Sequence, residues 1–461
     1  MKKLLWLLAL LFLAGCGGSD DNAANINSQL PIDTAPMVDS RQFLMDAYQD
    51  GLGEIQLSQL ALQKSANSDV QKFAQTMITQ HTQMNGEIAR LAQSKNVTLP
   101  SGLTDAQKQQ ASQLSALAAD EFDRAYMAAN VAGHDKDVTA GKLQARDGTD
   151  ADVRRLAEIS LPTLQLHLMM ATQIDSVLDP AAFLALAYQD GLAEIQLSQL
   201  ALQKAASDSV RNFARRMIDD HTTANNRIVT LAQQKGVALP GGPTLTQRAT
   251  LNEFAKFAGA DFDKAYMDKN VMMHDQDVQL MTLQSERGRD AEVRTFAQQT
   301  APVLREHLAM AQSIDAAITP SFLYSAFQDG NAEMQLGNLA LLQGSASAVK
   351  TFGQRMIDDH GAANAQIRQL AQAKNIVLPT EISPEQMAAY AALIGMTATA
   401  FDIQYMTVNV QSHGKAVAQA TEQSQNAADT DIRAFAATVL PVLKGHLAQA
   451  QAILQSLGGA V

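Results

Sequence analysis

The feature that most constrains this chain is that it repeats itself. YQDGLGEIQLSQLALQK starts at Tyr48, YQDGLAEIQLSQLALQK at Tyr188, and a looser copy, FQDGNAEMQLGNLALLQ, at Phe327. The offsets are 140 and then 139 residues, and the missing residue falls where Pro180-Ala181-Ala182-Phe183 becomes Pro320-Ser321-Phe322. A unit of about 140 residues is a whole domain, too long to be one turn of a solenoid. Domains are therefore expected over 41–179, 182–319 and 321–457, with boundaries near Pro180 and Pro320. The junctions are short and carry little apolar surface, so the angles between units are expected to vary.

Each unit reads as helices. Aromatic residues make up only 5% of the chain and hydrophobic residues 46%, and Ala, Gln, Leu and Met are plentiful, which favours helical cores and excludes an all-β chain. In the first unit helices are expected over about 41–64, 69–95, 120–146 and 151–177. Val97-Thr98-Leu99-Pro100-Ser101-Gly102 breaks the chain, a shorter helix-like stretch follows from Asp105, and Gly148-Thr149-Asp150 stops one helix and caps the next. Pro162, Pro302 and Pro441 lie inside the fourth helix of each unit, where a kink or an irregular first half is expected. Two tight turns and one long middle connection describe a four-helix bundle. The stretch from Val97 to Ala119 either crosses from one end to the other, as in ferritin-like bundles, or extends the third helix of an up-down-up-down bundle, and the crossover is preferred.

The N-terminus reads as an address. Lys2 and Lys3 precede an apolar run from Leu4 to Ala14, which is too short for a bilayer span of about 20 residues but suits a secretory signal. The run ends in Leu13-Ala14-Gly15-Cys16, which resembles a bacterial lipobox, and Cys16 is the only cysteine. Residues 1–16 are expected to be a lipoprotein signal with lipidation at Cys16. Gly17 rather than Asp follows, which favours the outer membrane of a two-membrane cell. Residues 17–40 are expected to be a flexible tether. The expected chain is thus a periplasm-facing lipoprotein held to the membrane by its lipid anchor, with protein partners unknown. Lys plus Arg number 35 against 47 Asp plus Glu, a net charge of −12, so nucleic acid is not an expected partner.

All nine histidines fall on matched positions: His81, His134 and His167, then His221, His274 and His307, then His360, His413 and His446. A glutamate stands 27 residues before the first of each set, at Glu54, Glu194 and Glu333. His81 lies in the apolar stripe Val70, Ala74, Met77, Ile88, and Glu54 in a stripe of small residues, so all four groups should face inward. Counted from the first turn at about 1.5 Å per residue, Glu54 and His81 both lie about 20 Å down the bundle, with His134 and His167 at comparable depth. Two readings stand: a metal site of one Glu and three His per unit, or a closed polar network that fixes helix register without chemistry. Asp123, Asp263 and Asp402, with Tyr126, Tyr266 and Tyr405, are expected behind the site. A nitrogen-rich set suits a single Fe, Zn, Cu or Ni ion. The first unit departs from the others in having Gln80 where they have Asp220 and Asp359. No phosphate-binding loop or marked nucleophile is present, so no enzyme class is assigned.

The units resemble the exported bacterial domain-of-unknown-function 4142 family. The matching text is AEIQLSQLALQKAASDSVRNFARRMIDDHTTAN, then FDKAYM with His274, then Ala301-Pro302-Val303-Leu304-Arg305-Glu306-His307-Leu308, recurring in all three units. The resemblance implies a ferritin-like four-helix domain with no settled activity. The residues depart from the ferritin di-iron pattern, because Ile78, Val131 and Leu164 stand three before the histidines where that pattern has Glu.

Overall fold

The computed structural model describes residues 38–459, so the expected signal, the lipobox Cys16 and most of the expected tether lie outside the described residues. The first repeat consists of α1 (Ser40–Lys64), α2 (Ser68–Ser94), α3 (Asp105–Ser115), α4 (Ala119–Asp147) and α5 (Ala151–Leu178). The second follows as α6 (Pro180–Lys204), α7 (Asp208–Lys235), α8 (Leu245–Phe254), α9 (Gly259–Arg287) and α10 (Ala291–Asp315). The third is α11 (Phe322–Gln343), α12 (Ser347–Lys374), α13 (Pro384–Ile394), α14 (Ala398–Asn426) and α15 (Thr430–Ser456). Among the described residues there is no strand, and no helix is long and apolar enough to cross a membrane.

Local sequence explains the helix ends. Asp39, Asn67 and Asp150 cap α1, α2 and α5 with side-chain oxygens, and Thr104 with Gln107 closes a capping box on α3. The second helix of each repeat ends at a left-handed residue, Asn96, Gly236 or Asn375, at φ of 53°, 66° and 54°. Asn and Gly are the residues that tolerate this conformation.

The chain takes the crossover path. α2 ends where α5 begins, with Lys95 Nζ 2.8 Å from Asp150 Oδ2 and 2.6 Å from Asp152 Oδ2. α4 begins at the opposite end, beside the α1–α2 turn, where Lys64 Nζ donates to the Ser115 carbonyl at 2.7 Å. The segment between must run the length of the bundle, and α3 carries it along α1, with Gln49 and Gln107 joined at 2.6 Å. The architecture is three tandem ferritin-like four-helix bundles, each with a short fifth helix on the crossover.

The prolines interrupt no helix: α5, α10 and α15 each continue through Pro162, Pro302 and Pro441. A proline leaves the carbonyl four residues earlier without its helical donor. In the first repeat that carbonyl is Glu158, and it accepts from Gln335 Nε2 of the third repeat at 2.9 Å.

The repeats are not loosely strung. Asp179 is both the last cap of α5 and the first cap of α6, so no linker separates the first two repeats. The described residues form one compact unit. At its centre Lys142 of α4 is 3% exposed and reaches Thr250 Oγ1 at 2.9 Å, Glu381 Oε1 at 2.8 Å and Glu253 Oε2 at 3.6 Å. Lys269 adds a second cation 3.3 Å from Glu381. Thr250, Glu253 and Lys269 belong to the second repeat and Glu381 to the third. The expectation of variable angles is therefore corrected: charged and polar residues lock the repeats together, and Tyr324 of the third packs into the apolar core of the second, 5.9 Å from the Phe257 ring.

Candidate metal centre

Each repeat brings its three histidines together. In the first, His81 of α2, His134 of α4 and His167 of α5 have ring centroids 5.6, 5.1 and 5.2 Å apart. The second and third sets repeat this, with separations between 5.2 and 5.6 Å. In every set one nitrogen per ring lies within 4.8 Å of the others, the spread from which one ion is ligated after small side-chain shifts. All nine rings are buried.

One face of each centre is tied to protein. His134, His274 and His413 place Nδ1 2.9 Å from the carbonyls of Asn130, Asn270 and Asn409. Those asparagines are buried and turn their own amides onto the Tyr126, Tyr266 and Tyr405 carbonyls. His307 Nε2 lies 2.8 Å from Asp220 Oδ2, and His446 Nε2 lies 2.8 Å from Asp359 Oδ2. His167 Nε2 meets Gln80 Oε1 in the corresponding place. The residue flagged at the sequence level as different in the first repeat thus orients the third histidine, through an amide there and through a carboxylate elsewhere.

The other nitrogens of five of these rings are bare, while His413 Nε2 lies 3.4 Å from His360 Nε2. Nε2 of His134 and His274, and Nδ1 of His167, His307 and His446, are buried without a hydrogen-bond partner. A closed polar network would have partnered them. Burial pushes His307 and His446 down to about 4 against the raising effect of Asp220 and Asp359, and it holds His167 well below the usual imidazole range. These rings are neutral at pH 7 and their free nitrogens carry lone pairs. Neutral imidazoles with one nitrogen oriented by an acceptor and the other bare form the donor set of a metal site.

The glutamates stand against the histidines. Glu54 Oε2 is 2.9 Å from His81 Nδ1 and Oε1 is 3.4 Å from His134 Nδ1. Glu194 contacts His221 Nε2 and lies 3.6 Å from His274 Nδ1. Glu333 lies 3.6 Å from His413 Nδ1 and takes the Ser412 hydroxyl. Burial raises the pKa of Glu54 and Glu194, but the adjacent histidines outweigh it and hold both at about 2. Each is an anion inside the bundle. In the first repeat it faces ring nitrogens that point away from the centre.

The residues expected behind the site mostly lie elsewhere. Asp263 accepts from the backbone N–H groups of Ala206 and Ser207, and Asp402 from those of Ser345 and Ala346. Asp123 sits at the same turn, beside Ser65. These aspartates clamp the turn between the first two helices of each repeat and do not touch the histidines, because three helical turns separate the positions. Tyr126 and Tyr266 bond Ser58 and Ser198 at 2.8 Å, and Gly337 in the third repeat leaves the Tyr405 hydroxyl without a partner.

The sequence reading missed Asn130, Asn270 and Asn409, whose recurrence four residues before a histidine was the available signal. It also missed Asp137 and Asp277, one turn after His134 and His274, where the third repeat has Ala416. Asp137 pairs with Glu54, and burial together with that neighbour pushes it well up. Asp277 behaves likewise beside Glu194 and Asp190.

Against known families, the model described as Domain of unknown function (DUF4142) matches three times, over residues 27–174, 176–314 and 316–453. Comparison with curated proteins and with solved structures returned no match.

Proposed function

We propose that this chain, which belongs to the domain-of-unknown-function 4142 family through all three repeats, binds a transition metal ion at each histidine centre. The observation that carries the reading is the set of bare, buried ring nitrogens whose partner nitrogens are already fixed. His81, His134 and His167 would hold the first ion, His221, His274 and His307 the second, and His360, His413 and His446 the third, with Glu54, Glu194 and Glu333 alongside. Three imidazoles suit Zn, Fe, Cu or Ni. A metal there would supply Lewis-acid or redox chemistry. The protein's own part is to align the rings and shield them from bulk water.

In this reading the protein is a metal-handling or redox-protection module of the cell envelope, held to the outer membrane through a lipid on Cys16. Support for the location comes from the charged start, the short apolar run and the Leu13-Ala14-Gly15-Cys16 motif. The test is elemental analysis of protein purified without a histidine tag and reloaded after chelator stripping. The expected result is at least three ions per chain, falling by one when His274 is changed to Ala. Metal-free protein whose content no histidine substitution alters would overturn it.

A further inference from the structure

We propose that the second histidine centre receives a neutral diatomic gas, of the class of dioxygen and nitric oxide, in an apolar void built against two of its rings. The proposal rests on the metal reading above and names what reaches that metal. A cavity of about 40 Å³ has His221 and His307 in its wall. The rest of the wall is mostly hydrocarbon, supplied by Ala224, Ile228, Leu280, Met281, Phe296 and Leu304. A water-sized sphere fills about 10–15 Å³, so a molecule of two or three atoms fits there.

The wall selects its guest. A buried water needs about two to four polar partners, whereas an apolar cavity stays dry and accepts guests such as xenon. Three of the four polar residues at the edge, the histidines apart, are engaged elsewhere. Asp220 holds His307 at 2.8 Å and the Arg216 guanidinium at 3.2 Å, and Asp190 takes the Gln247 amide at 2.5 Å. The Thr300 hydroxyl donates to the Phe296 carbonyl at 2.8 Å. Asp277 is the fourth, a single partner where a water needs more. An anion would lose its hydration against such a wall, and a neutral diatomic has little to lose. Three imidazoles leave a metal with an open position, and two of those rings face the void. Val303, 39% exposed, also borders it, so the void lies one side chain beneath the surface and a gas has a short way in.

The first repeat is an internal comparison. Met84 stands there in place of Ala224. It packs on the apolar cluster of Val138, Leu161 and Leu164, and Leu164 corresponds to Leu304 in the wall of the void. The longer side chain thus covers, in the first repeat, the surface that the second leaves open.

Two measurements test this. Crystals of the full chain under xenon pressure, with no metal added, should show xenon against Ala224 and Leu304. Ala224→Met should remove it, and so should Ala224→Leu. Next, a full-length chain carrying His134→Ala and His413→Ala, in which only the second histidine set is complete, is loaded with iron(II) without air and exposed to nitric oxide. The electron-spin resonance of the iron–nitric oxide adduct should appear, and either Ala224 substitution should abolish it with the iron content unchanged. Circular dichroism checks that each variant folds. A void that takes no xenon, iron that takes no nitric oxide, or an adduct that both substitutions leave intact overturns this proposal while the metal reading stands. A second centre that loads no iron, zinc, copper or nickel overturns the metal reading and this proposal with it.

Discussion

Asp359 Oδ2 lies 2.8 Å from His446 Nε2, and this contact leaves the opposite nitrogen of the ring buried and bare. Asp220 does the same for His307, whereas the first repeat uses the neutral amide of Gln80. A carboxylate behind an imidazole raises its basicity toward a metal, and loss of such a partner costs about 10–100-fold in affinity. Asp220→Asn should weaken the second site by that order and Gln80→Asp should strengthen the first. Competition with a chromogenic chelator reads both. Equal affinities in all variants would contradict the orienting role.

A second expectation concerns the space between helices. Gly191 packs so tightly on the Asn225 amide that an added Cβ would overlap it, and Gly51 and Gly330 face Asn85 and Asn364 in the same way. Asn225 Nδ2 approaches the Tyr188 carbonyl at 3.3 Å. Gly191→Ala should destabilise by about 1–3 kcal/mol through overpacking. Gly414→Ala, where nothing lies within 4 Å of the new carbon, should stabilise by about 0.5–1 kcal/mol. Chemical denaturation of the two variants should separate them in sign.

The central lysine offers a sharper perturbation. Lys142→Met would leave Glu253 and Glu381 with one cation fewer in a buried setting. Breaking a buried pair from one side costs about 3–5 kcal/mol. The loss should appear as a lower melting temperature, and replacing Glu381 with Gln in the same chain should recover part of it. A melting temperature unchanged by Lys142→Met would show that the cluster carries no cohesion.

The same cluster sets an acid limit. Burial opposes ionisation of Glu381, but Lys142 and Lys269 outweigh it and bring its pKa from 4.5 to about 2. A carboxylate depressed in the folded state stabilises the fold fully above its unfolded pKa, and the contribution is lost as pH falls through the folded value. Cohesion between repeats should weaken between about pH 4.5 and pH 2, and Glu381→Gln should flatten that part of the stability profile. Small-angle scattering along the titration follows the separation directly.

Anchoring has its own test. Cys16→Ser should move the protein from the membrane fraction to the soluble fraction and abolish labelling by a fatty-acid analogue. Retention in the membrane fraction would remove the lipid from the account.

Much of this was legible because period and depth are properties of a helix. The 3.6-residue stripe placed His81 inward, and residue counting from the turn put Glu54 and His81 level. The crossover followed from one long connection between two tight ones. What stayed hidden has a common cause. The Asn130 contribution is a backbone carbonyl, which no side chain announces. The aspartates at 123, 263 and 402 recur as faithfully as the histidines, since holding a turn is as repeatable a task as holding an ion. The central charged cluster between repeats left no periodic trace because its residues are unique to one copy. Lys142 is Thr282 and Thr421 elsewhere, Glu253 is Gln113 and Ala392, and Glu381 is Gly102 and Gly242.

That last asymmetry makes the order of the copies matter. Lys142 comes from the first copy, its threonine and one glutamate from the second, and the other glutamate from the third. The carbonyl freed by Pro162 is likewise met by a glutamine two copies away. Shuffling the three segments in the gene would preserve every bundle and every histidine set, yet the keys would no longer face their locks. The chain reads as a sentence of three similar words whose meaning depends on word order.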